Sequence, residues 1–309
     1  AKAAAADRAV YQILQRRVAP HPYVPADPTT RDTRCREVFL IQATSLARRL
    51  LSLPETSRRV TIGVSGGQDS THAILVAAHA FDLLELPRDR IHAVTMPGFG
   101  TTKRTRHNAG RLAVALGARL HEIPIGGLAE AVYAAIGHPP EKEDLTFENV
   151  QAWLRKLLLF ATASQQRAID LGTGDLSEIA LGWCTYGGDH LSHYGVNAGV
   201  PKTLISNLIA WTADVIFAHD AAVQEVLRDV LATPISPELL RPRNGEIVQR
   251  SEDVVGPYEL HDFFLFHMLR NGARPAKILF LARQARFDRG YDEAELRRWL
   301  RVFLTRFFA

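Results

Sequence analysis

The sequence predicts an α/β fold, a three-layer doubly wound parallel sheet followed by a helical C-terminal part. Two observations carry this prediction. Short apolar, β-branched segments alternate with segments of helical periodicity between residues 60 and 171. From residue 202 onward only helical periodicity is present, which places the helical part after the sheet. In sheets of this kind, ligands bind at the carboxyl ends of the strands.

The first strand, loop and helix are the stretch around which the chain is organised. Residues 60–64 predict a buried strand, residues 71–84 predict an amphipathic helix, and residues 65–70 between them read SGGQDS. Paired glycines let the backbone approach an anion, the serines add hydroxyl donors, and the helix start adds free N–H groups. The loop therefore predicts a nucleotide-phosphate site. It has neither the lysine of the Walker pattern nor the glycine spacing of GxGxxG.

The remaining elements follow in order. Strands are predicted at residues 91–96, 119–124 and 168–171. Helices are predicted at residues 32–53, 104–116, 148–167, 202–216, 219–231, 257–270, 275–286 and 292–308. Asp292 and Glu295 predict a capping box at the start of the last helix. Residues 7–18 are weakly helical and residues 19–28 are rich in proline, so residues 1–31 are interpreted as a linker remnant and residues 32–309 as the domain.

Composition predicts a soluble globular protein. Apolar residues make up 47% of the 309 residues, and no apolar run approaches the roughly 18 residues that a membrane span needs. The net charge is +4, but the arginines are dispersed, which argues against nucleic-acid binding. Only Cys35 and Cys184 are present, without a CxxC motif, which argues against a disulfide scaffold or a structural zinc site. A reducing compartment, the cytoplasm, is the expected location.

Two further stretches point to the same site. The fourth predicted strand leads into residues 172–178, GTGDLSE, which start a short helix at the same edge of the sheet as the first loop. The following run, residues 182–197, is too polar and aromatic for a core element, and such segments usually line a site.

Taken together, these motifs resemble the NAD synthetases, and most closely the synthetase domain of their glutamine-dependent branch. The matching motifs are SGGQDS, FENVQA at residues 147–152, GTGDLSE, WCTYGGD at residues 183–189 and PKTL at residues 201–204, in the family's order. The resemblance implies the PP-loop fold of the ATP pyrophosphatases, also called the adenine nucleotide α-hydrolase type. It also implies ATP-dependent amidation of deamido-NAD through an acyl-adenylate, with Mg²⁺ as cofactor.

The resemblance also assigns roles to residues. The implied ATP contacts are Ser65, Gly66, Gly67, Gln68, Asp69, Ser70, Met96 and Thr173. The implied deamido-NAD contacts are Asn149, Glu178, Trp183, Tyr186 and Asp189. Asp69 and Glu178 are the implied magnesium ligands, and hard oxygen ligands suit that ion. These two carboxylates and Lys202, which is implied to bind the ATP phosphates, form the implied catalytic set.

Each implied residue has a structural alternative. Asp69 and Asn149 could cap helices, Trp183 could be core packing, and Lys202 could lie on the surface. His190 and His193 have the spacing of a metal pair but lack a third ligand, so they are interpreted as polar loop residues.

Three functions remain open: an NAD synthetase, an inactive nucleotide-binding core or subunit, and another PP-loop ligase that adenylates a different acid. The second is motivated by the chain's end at Ala309, before a lysine-bearing loop of the family. Neither cysteine lies in a nucleophile turn, so ammonia is the expected nitrogen donor, and a glutaminase domain is expected to be missing from this chain. A homo-oligomer, dimer or larger, is implied by the resemblance.

Overall fold

The computed structural model describes residues 16–139, 141–233, 239–240 and 251–309. Within these residues, five strands form one parallel sheet in the order β3-β2-β1-β4-β5. The strands are β1 (Val60–Gly63), β2 (Ile91–Thr95), β3 (Arg119–Glu122), β4 (Ile169–Gly172) and β5 (Tyr194–Gly195). The chain runs outward from β1 to β3 and then continues on the other side of β1, so the predicted doubly wound sheet is confirmed.

Helices connect the strands and form the C-terminal part. They are α1 (Pro28–Leu51), α2 (Gln68–Leu83), α3 (Lys103–Ala115), α4 (Gly126–Ile136), α5 (Leu145–Gln166), α6 (Leu176–Leu181), α7 (Lys202–Trp211), α8 (Ala221–Leu231), α9 (Ser251–Val255), α10 (Tyr258–Leu269), α11 (Pro275–Ala282) and α12 (Glu293–Phe307). A π-helical turn, Thr212–Ile216, follows α7 directly. Among the described residues, no helix combines the length and the hydrophobicity that crossing a bilayer requires.

Different helices pack on the two faces of the sheet. Successive residues of a strand point to opposite faces, so neighbouring residues belong to different cores. In β2, Ala93 belongs to the main core, which includes side chains of α1, α2, α3, α7 and α8. The next residue, Val94, packs on the other face with Leu159 of α5. The sheet is therefore the middle of three layers, with α5 against β1 and β4 on the second face.

The C-terminal helices pack around a core of their own. Phe263, Phe264 and Phe303 are fully buried there, and Leu181 at the end of α6 joins the same cluster. The Asp292 side chain accepts from Glu295 N and the Glu295 side chain accepts from Asp292 N, so the predicted capping box of α12 is present. This core holds α6, which carries site residues, against the helical part.

Several boundaries differ from the prediction. Helix α1 begins at Pro28 rather than at residue 32, because Asp27 accepts a hydrogen bond from Thr30 N and proline suits the first helical position. Helix α4 and strand β5 were not predicted. The predicted helix at residues 7–18 falls almost wholly outside the described residues, and the linker interpretation of residues 1–31 stays a prediction.

Candidate active site

A cavity of about 470 Å³ opens at the carboxyl ends of the strands, beside the switch point between β1 and β4. Most residues assigned from the motifs line it. They are Ser65, Gly67, Gln68, Asp69, Ser70, Met96, Asn149, Thr173, Glu178, Trp183, Asp189 and Lys202. Two assigned residues are not among the lining residues of the described chain. Gly66 lies within the first loop, and the Tyr186 side chain is 88% exposed.

The first loop is held by its own serines. Ser65 Oγ accepts from Gly67 N at 3.1 Å, and Ser70 Oγ accepts from Ser65 N at 3.2 Å. Gly66 has a φ of 86°, a conformation that favours glycine. Gly67 is the N-cap of α2 and supplies no side chain, so the helix N-terminus keeps its unpaired N–H groups for an anion.

Asp69 lies inside the first turn of α2, so the alternative that it caps the helix is wrong. The structure brings its carboxylate together with that of Glu178, as their positions after two parallel strands predict. A third carboxylate, Asp175, joins them, and the candidate ligand oxygens of all three lie within 4.8 Å of one another. Asp175 is the N-cap of α6 and accepts from the Glu178 backbone N–H at 2.9 Å, which fixes the Asp175 side chain.

The three carboxylates surround the Lys202 ammonium. Lys202 Nζ lies 2.7 Å from Asp69 Oδ2, 2.6 Å from Asp175 Oδ2 and 2.8 Å from Glu178 Oε1. The Lys202 side chain is 2% exposed, so the surface alternative is wrong. Lys202 is the first residue of α7, where Pro201 serves as N-cap, and its side chain reaches Asp69 of α2 and the start of α6.

Burial and mutual repulsion shift the pKa values in this cluster. Burial is the main cause that raises the pKa of Asp175 to about 7, and burial together with Asp175 raises the pKa of Glu178 well above its usual range. Burial disfavours the charge on Lys202, but the three carboxylates outweigh it and raise the pKa of that ammonium. With all groups ionised, three negative charges and one positive charge leave a formal charge of −2, which a divalent cation would balance.

The donor set fits a magnesium ion. Asp69 Oδ1 is buried without a hydrogen-bond partner, and it sits in a cluster of carboxylate oxygens, the ligands that Mg²⁺ prefers. Asp175 was not predicted as a member of this cluster. Its sequence signal was its place in GTGDLSE, three residues before Glu178, where a capping aspartate faces the same helix start.

A buried polar network supports the cluster from behind. Asp262 Oδ2 accepts from Thr203 N at 2.9 Å, and Asp262 Oδ1 accepts a short hydrogen bond from Ser177 Oγ. Ser177 Oγ in turn accepts from Lys202 N at 2.9 Å. Asp262 therefore ties the start of α7 to α6, and its one sequence signal was an acid within the apolar run of α10.

Asn197 joins the first loop to the loop after β4. Its Nδ2 donates to Asp69 O at 2.9 Å and to Thr173 O at 3.1 Å. Asn197 is fully buried and lies just after the two-residue strand β5. The polar run of residues 182–197 thus ends in a residue that connects the first loop with the loop after β4.

The other half of the cavity is built from α5 and the polar run. Asn149 Oδ1 accepts from Thr185 Oγ1 at 3.0 Å, and Asp189 Oδ1 accepts from Thr185 N at 3.0 Å. Asn149 lies inside α5, whose N-cap is Asp144, so the capping alternative for Asn149 is wrong. Trp183 is partly buried, packs beside the C-terminal core and lines the cavity, so it serves both packing and the site.

Lys156 and Arg306, like Arg155, are cations outside the motifs that also line this cavity. Lys156 lines it and forms a buried ion pair with Asp170, with Nζ and Oδ2 2.7 Å apart. Arg306 of α12 lies with its guanidinium 5.5 Å from the centre of the Trp183 ring. Neither lies in a motif, so only the fold reveals that they line the site.

In the part of the chain that the structure describes, His190, His193 and the two cysteines belong to no group of three potential metal ligands. His190 Nδ1 lies 3.1 Å from Thr185 O, whereas His193 Nδ1 accepts from Asp170 N at 2.9 Å, so the two rings serve different loops. Burial raises the pKa of the Cys184 thiol and raises that of Cys35 to about 11. Neither thiol has the lowered pKa of an activated nucleophile.

Comparison of the sequence with known proteins identifies the family of the chain. The family model described as NAD synthase matches residues 48–280. The glutamine-dependent NAD(+) synthetase of Mycobacterium tuberculosis H37Rv is 49% identical over 96% of this chain, and that of Mycobacterium leprae is 45% identical over 96%. The chain spans 46% of the length of each of these relatives.

Solved structures share the fold. An NMN synthetase from Francisella tularensis has a TM-score of 0.61 at 22% identity, covering 84% of this chain and 98% of that chain. A glutamine-dependent NAD+ synthetase from Acinetobacter baumannii, in complex with ADP, has a TM-score of 0.56 at 22% identity, covering 89% of this chain and 46% of that chain. The matched motifs, the sheet and the family match lead to one conclusion: the chain belongs to the NAD synthase family.

Proposed function

We propose that the chain catalyses the ATP-dependent amidation of deamido-NAD through an acyl-adenylate, giving NAD, AMP and pyrophosphate. One observation carries the proposal most strongly. The SGGQDS loop, the three-carboxylate cluster and Lys202 lie in the same cavity as the polar side chains of Asn149, Thr185 and Asp189. An ATP pyrophosphatase needs this arrangement, because the α-phosphate must meet a carboxylate while its negative charge is offset.

In the first step, a carboxylate oxygen of the substrate forms a bond to the α-phosphorus of ATP, and the bond to pyrophosphate breaks. The N–H groups at residues 65–70 would hold the phosphates, and Asp69, Asp175 and Glu178 would hold Mg²⁺. When bound, the ion neutralises charge on the phosphate oxygens. Lys202 adds a positive charge at the same place, where it would stabilise the five-coordinate phosphorus.

In the second step, ammonia attacks the carbonyl carbon of the acyl-adenylate, AMP leaves with the former carboxylate oxygen, and the new amide loses a proton. Asn149, Trp183, Tyr186 and Asp189 are the residues proposed to hold deamido-NAD. Trp183 offers an aromatic face for a pyridine ring, and Asn149 and Asp189 offer polar groups beside it.

A second copy of the chain is part of the proposal. Leu145, Trp153 and Leu157 form an exposed apolar stripe at helical spacing on α5, and Trp153 Nε1 donates to Tyr186 O at 2.6 Å. This stripe borders the cavity, and Leu145 is one of the residues that line it. A dimer formed here would cover Tyr186 and place it against the substrate.

A cytoplasmic location, where ATP is abundant and thiols stay reduced, is also proposed.

We expect ammonium to support NAD formation by this chain and ammonia-free glutamine not to. Glutamine hydrolysis requires an activated nucleophile, and the pKa of each of the two thiols is raised. The named relatives are glutamine-dependent and about twice as long as this chain. The measurement is the rate of NAD formation from ATP and deamido-NAD with ammonium chloride or glutamine at matched concentration.

The same assay separates the alternatives. Equal rates with ammonium and with ammonia-free glutamine would contradict the proposed nitrogen donor. Because a structural neighbour is an NMN synthetase, nicotinate mononucleotide belongs beside deamido-NAD in the substrate panel. ATP binding without AMP formation from either acid would favour an inactive nucleotide-binding core, and AMP formation only with an unrelated acid would favour another PP-loop ligase.

A further inference from the structure

Lys202 occupies the centre of the cluster that is proposed to hold the metal ion. Its ammonium lies within 2.8 Å of Asp69, Asp175 and Glu178, and the same three carboxylates are the group that could hold a cation. The side chain is almost fully buried, so water does not compensate its charge. The carboxylates therefore already have a cation, which belongs to the protein itself.

An ammonium and a magnesium ion cannot share this centre. Magnesium binds oxygen at about 2.1 Å, closer than the ammonium, so both cations would lie within contact distance of the same three side chains. Two positive charges at such separation repel strongly in a buried site. Metal binding in this arrangement requires the ammonium to move away from at least two of its partners.

The surroundings indicate where the ammonium would go. Asp69 belongs to both the cluster and the phosphate loop, because it lies in the first turn of α2 directly after residues 65–67. Phosphates bound at that loop would bring negative charge next to the cluster. The Lys202 side chain has three donors and a flexible stem, so it can exchange carboxylate partners for phosphate oxygens without a backbone movement.

We propose that Lys202 is an internal counterion whose ammonium occupies the metal site until a nucleotide binds. Metal and nucleotide then bind together: the ion takes the carboxylates of Asp69, Asp175 and Glu178, and the ammonium transfers to the phosphates. This inference rests on the proposed magnesium site and adds an order of binding to it. Its consequence is weak binding of metal alone, because the free ion must displace a buried ammonium from its three carboxylate partners.

Titration of the protein with Mn²⁺ in the absence of nucleotide tests the inference. We expect Lys202→Met to bind Mn²⁺ at least about 10-fold more tightly than the wild type, since the methionine removes the competing charge and keeps much of the side-chain volume. The control is the double variant Lys156→Met with Asp170→Asn, which removes a buried lysine–carboxylate pair at the same cavity but outside the cluster. Its Mn²⁺ affinity should equal that of the wild type.

Stability gives a second readout that is independent of activity. Without metal, Lys202→Met leaves three carboxylates without their cation, so its melting temperature should be low and should rise with Mn²⁺ far more than that of the wild type. If the variant folds only when Mn²⁺ is present, that result also supports the inference.

Equal Mn²⁺ affinity in Lys202→Met and the wild type would overturn the inference and leave the proposed reaction intact. A crystal structure with Mn²⁺ and ATP in which Lys202 Nζ remains within hydrogen-bond distance of both Asp69 and Glu178 would overturn it as well. No Mn²⁺ binding by any variant, even with ATP, would overturn the metal site and the inference together. None of these measurements requires deamido-NAD, so they do not depend on which acid the enzyme uses.

Discussion

Replacing Asp69 by Asn will lower the rate of deamido-NAD-dependent AMP formation by about 10³-fold, while ATP binding weakens far less. Asp69 Oδ1 is buried without a hydrogen-bond partner, and Asp69 Oδ2 accepts from Lys202 Nζ at 2.7 Å. The variant keeps the shape of the side chain but removes a charge that would hold the metal and orient the lysine. The loss falls on adenylation because charge develops on the phosphates in the transition state.

The measurements are the rate of AMP release and the dissociation constant for ATP. Asp214→Asn is the matched control, since Asp214 is a 68% exposed carboxylate with a long ion pair to Arg228. Asp214→Asn should have the wild-type rate of AMP release and the wild-type dissociation constant for ATP. A variant Asp69→Asn that loses ATP binding and AMP formation in equal proportion would show that Asp69 only positions the loop.

Replacing Gly66 by Ala will have the second large effect, on the loop itself. Gly66 has a φ of 86°, and a Cβ built there would lie 2.2 Å from Thr105 O, which belongs to the backbone of α3. A backbone atom cannot rotate away, so the loop or the start of α3 must shift. We expect a loss of about 2 kcal/mol or more in the free energy of unfolding and at least about 10-fold weaker ATP binding.

Gly67→Ala is the control for stability. Gly67 has a negative φ, and its added Cβ would first meet Ser65 Oγ at 3.3 Å, a side-chain atom at a much longer distance than the backbone contact of Gly66. Chemical denaturation of the two variants should therefore separate them clearly. If Gly66→Ala is as stable as the wild type and binds ATP equally well, the close contact between this loop and α3 does not determine the phosphate site.

The sequence predicted the elements that carry strong periodicity. Strands β1, β2 and β4 are apolar runs, and α12 has a capping box, so local physics was sufficient there. Strand β5 was not predicted because it has only two residues and lies within a polar run. Its pairing with β4 is what makes it a strand. Helix α4 begins with two glycines and has no side-chain cap, so it lacks the usual start signal.

In the site, too, some residues have a local sequence signal and others depend on how distant elements pack. Asp69, Glu178 and Lys202 could be named because they lie in motifs with recognisable order. The burial of the Lys202 ammonium between Asp69 and Glu178 could not be predicted, since it depends on how α2, α6 and α7 converge. Asp262 and Arg306 come from distant helices of the C-terminal part, and no local pattern in the sequence connects them with the loop after β1.

The decisive measurement follows the carboxylate oxygen. Deamido-NAD labelled with ¹⁸O in the nicotinate carboxylate is incubated with the chain, ATP, Mg²⁺ and ammonium, and the products are analysed by mass spectrometry. Adenylation of that carboxylate predicts one labelled oxygen in each AMP, none in pyrophosphate, and one label left in the NAD amide. Unlabelled AMP alongside NAD formation, or label in inorganic phosphate with release of ADP, would contradict the acyl-adenylate route at this site.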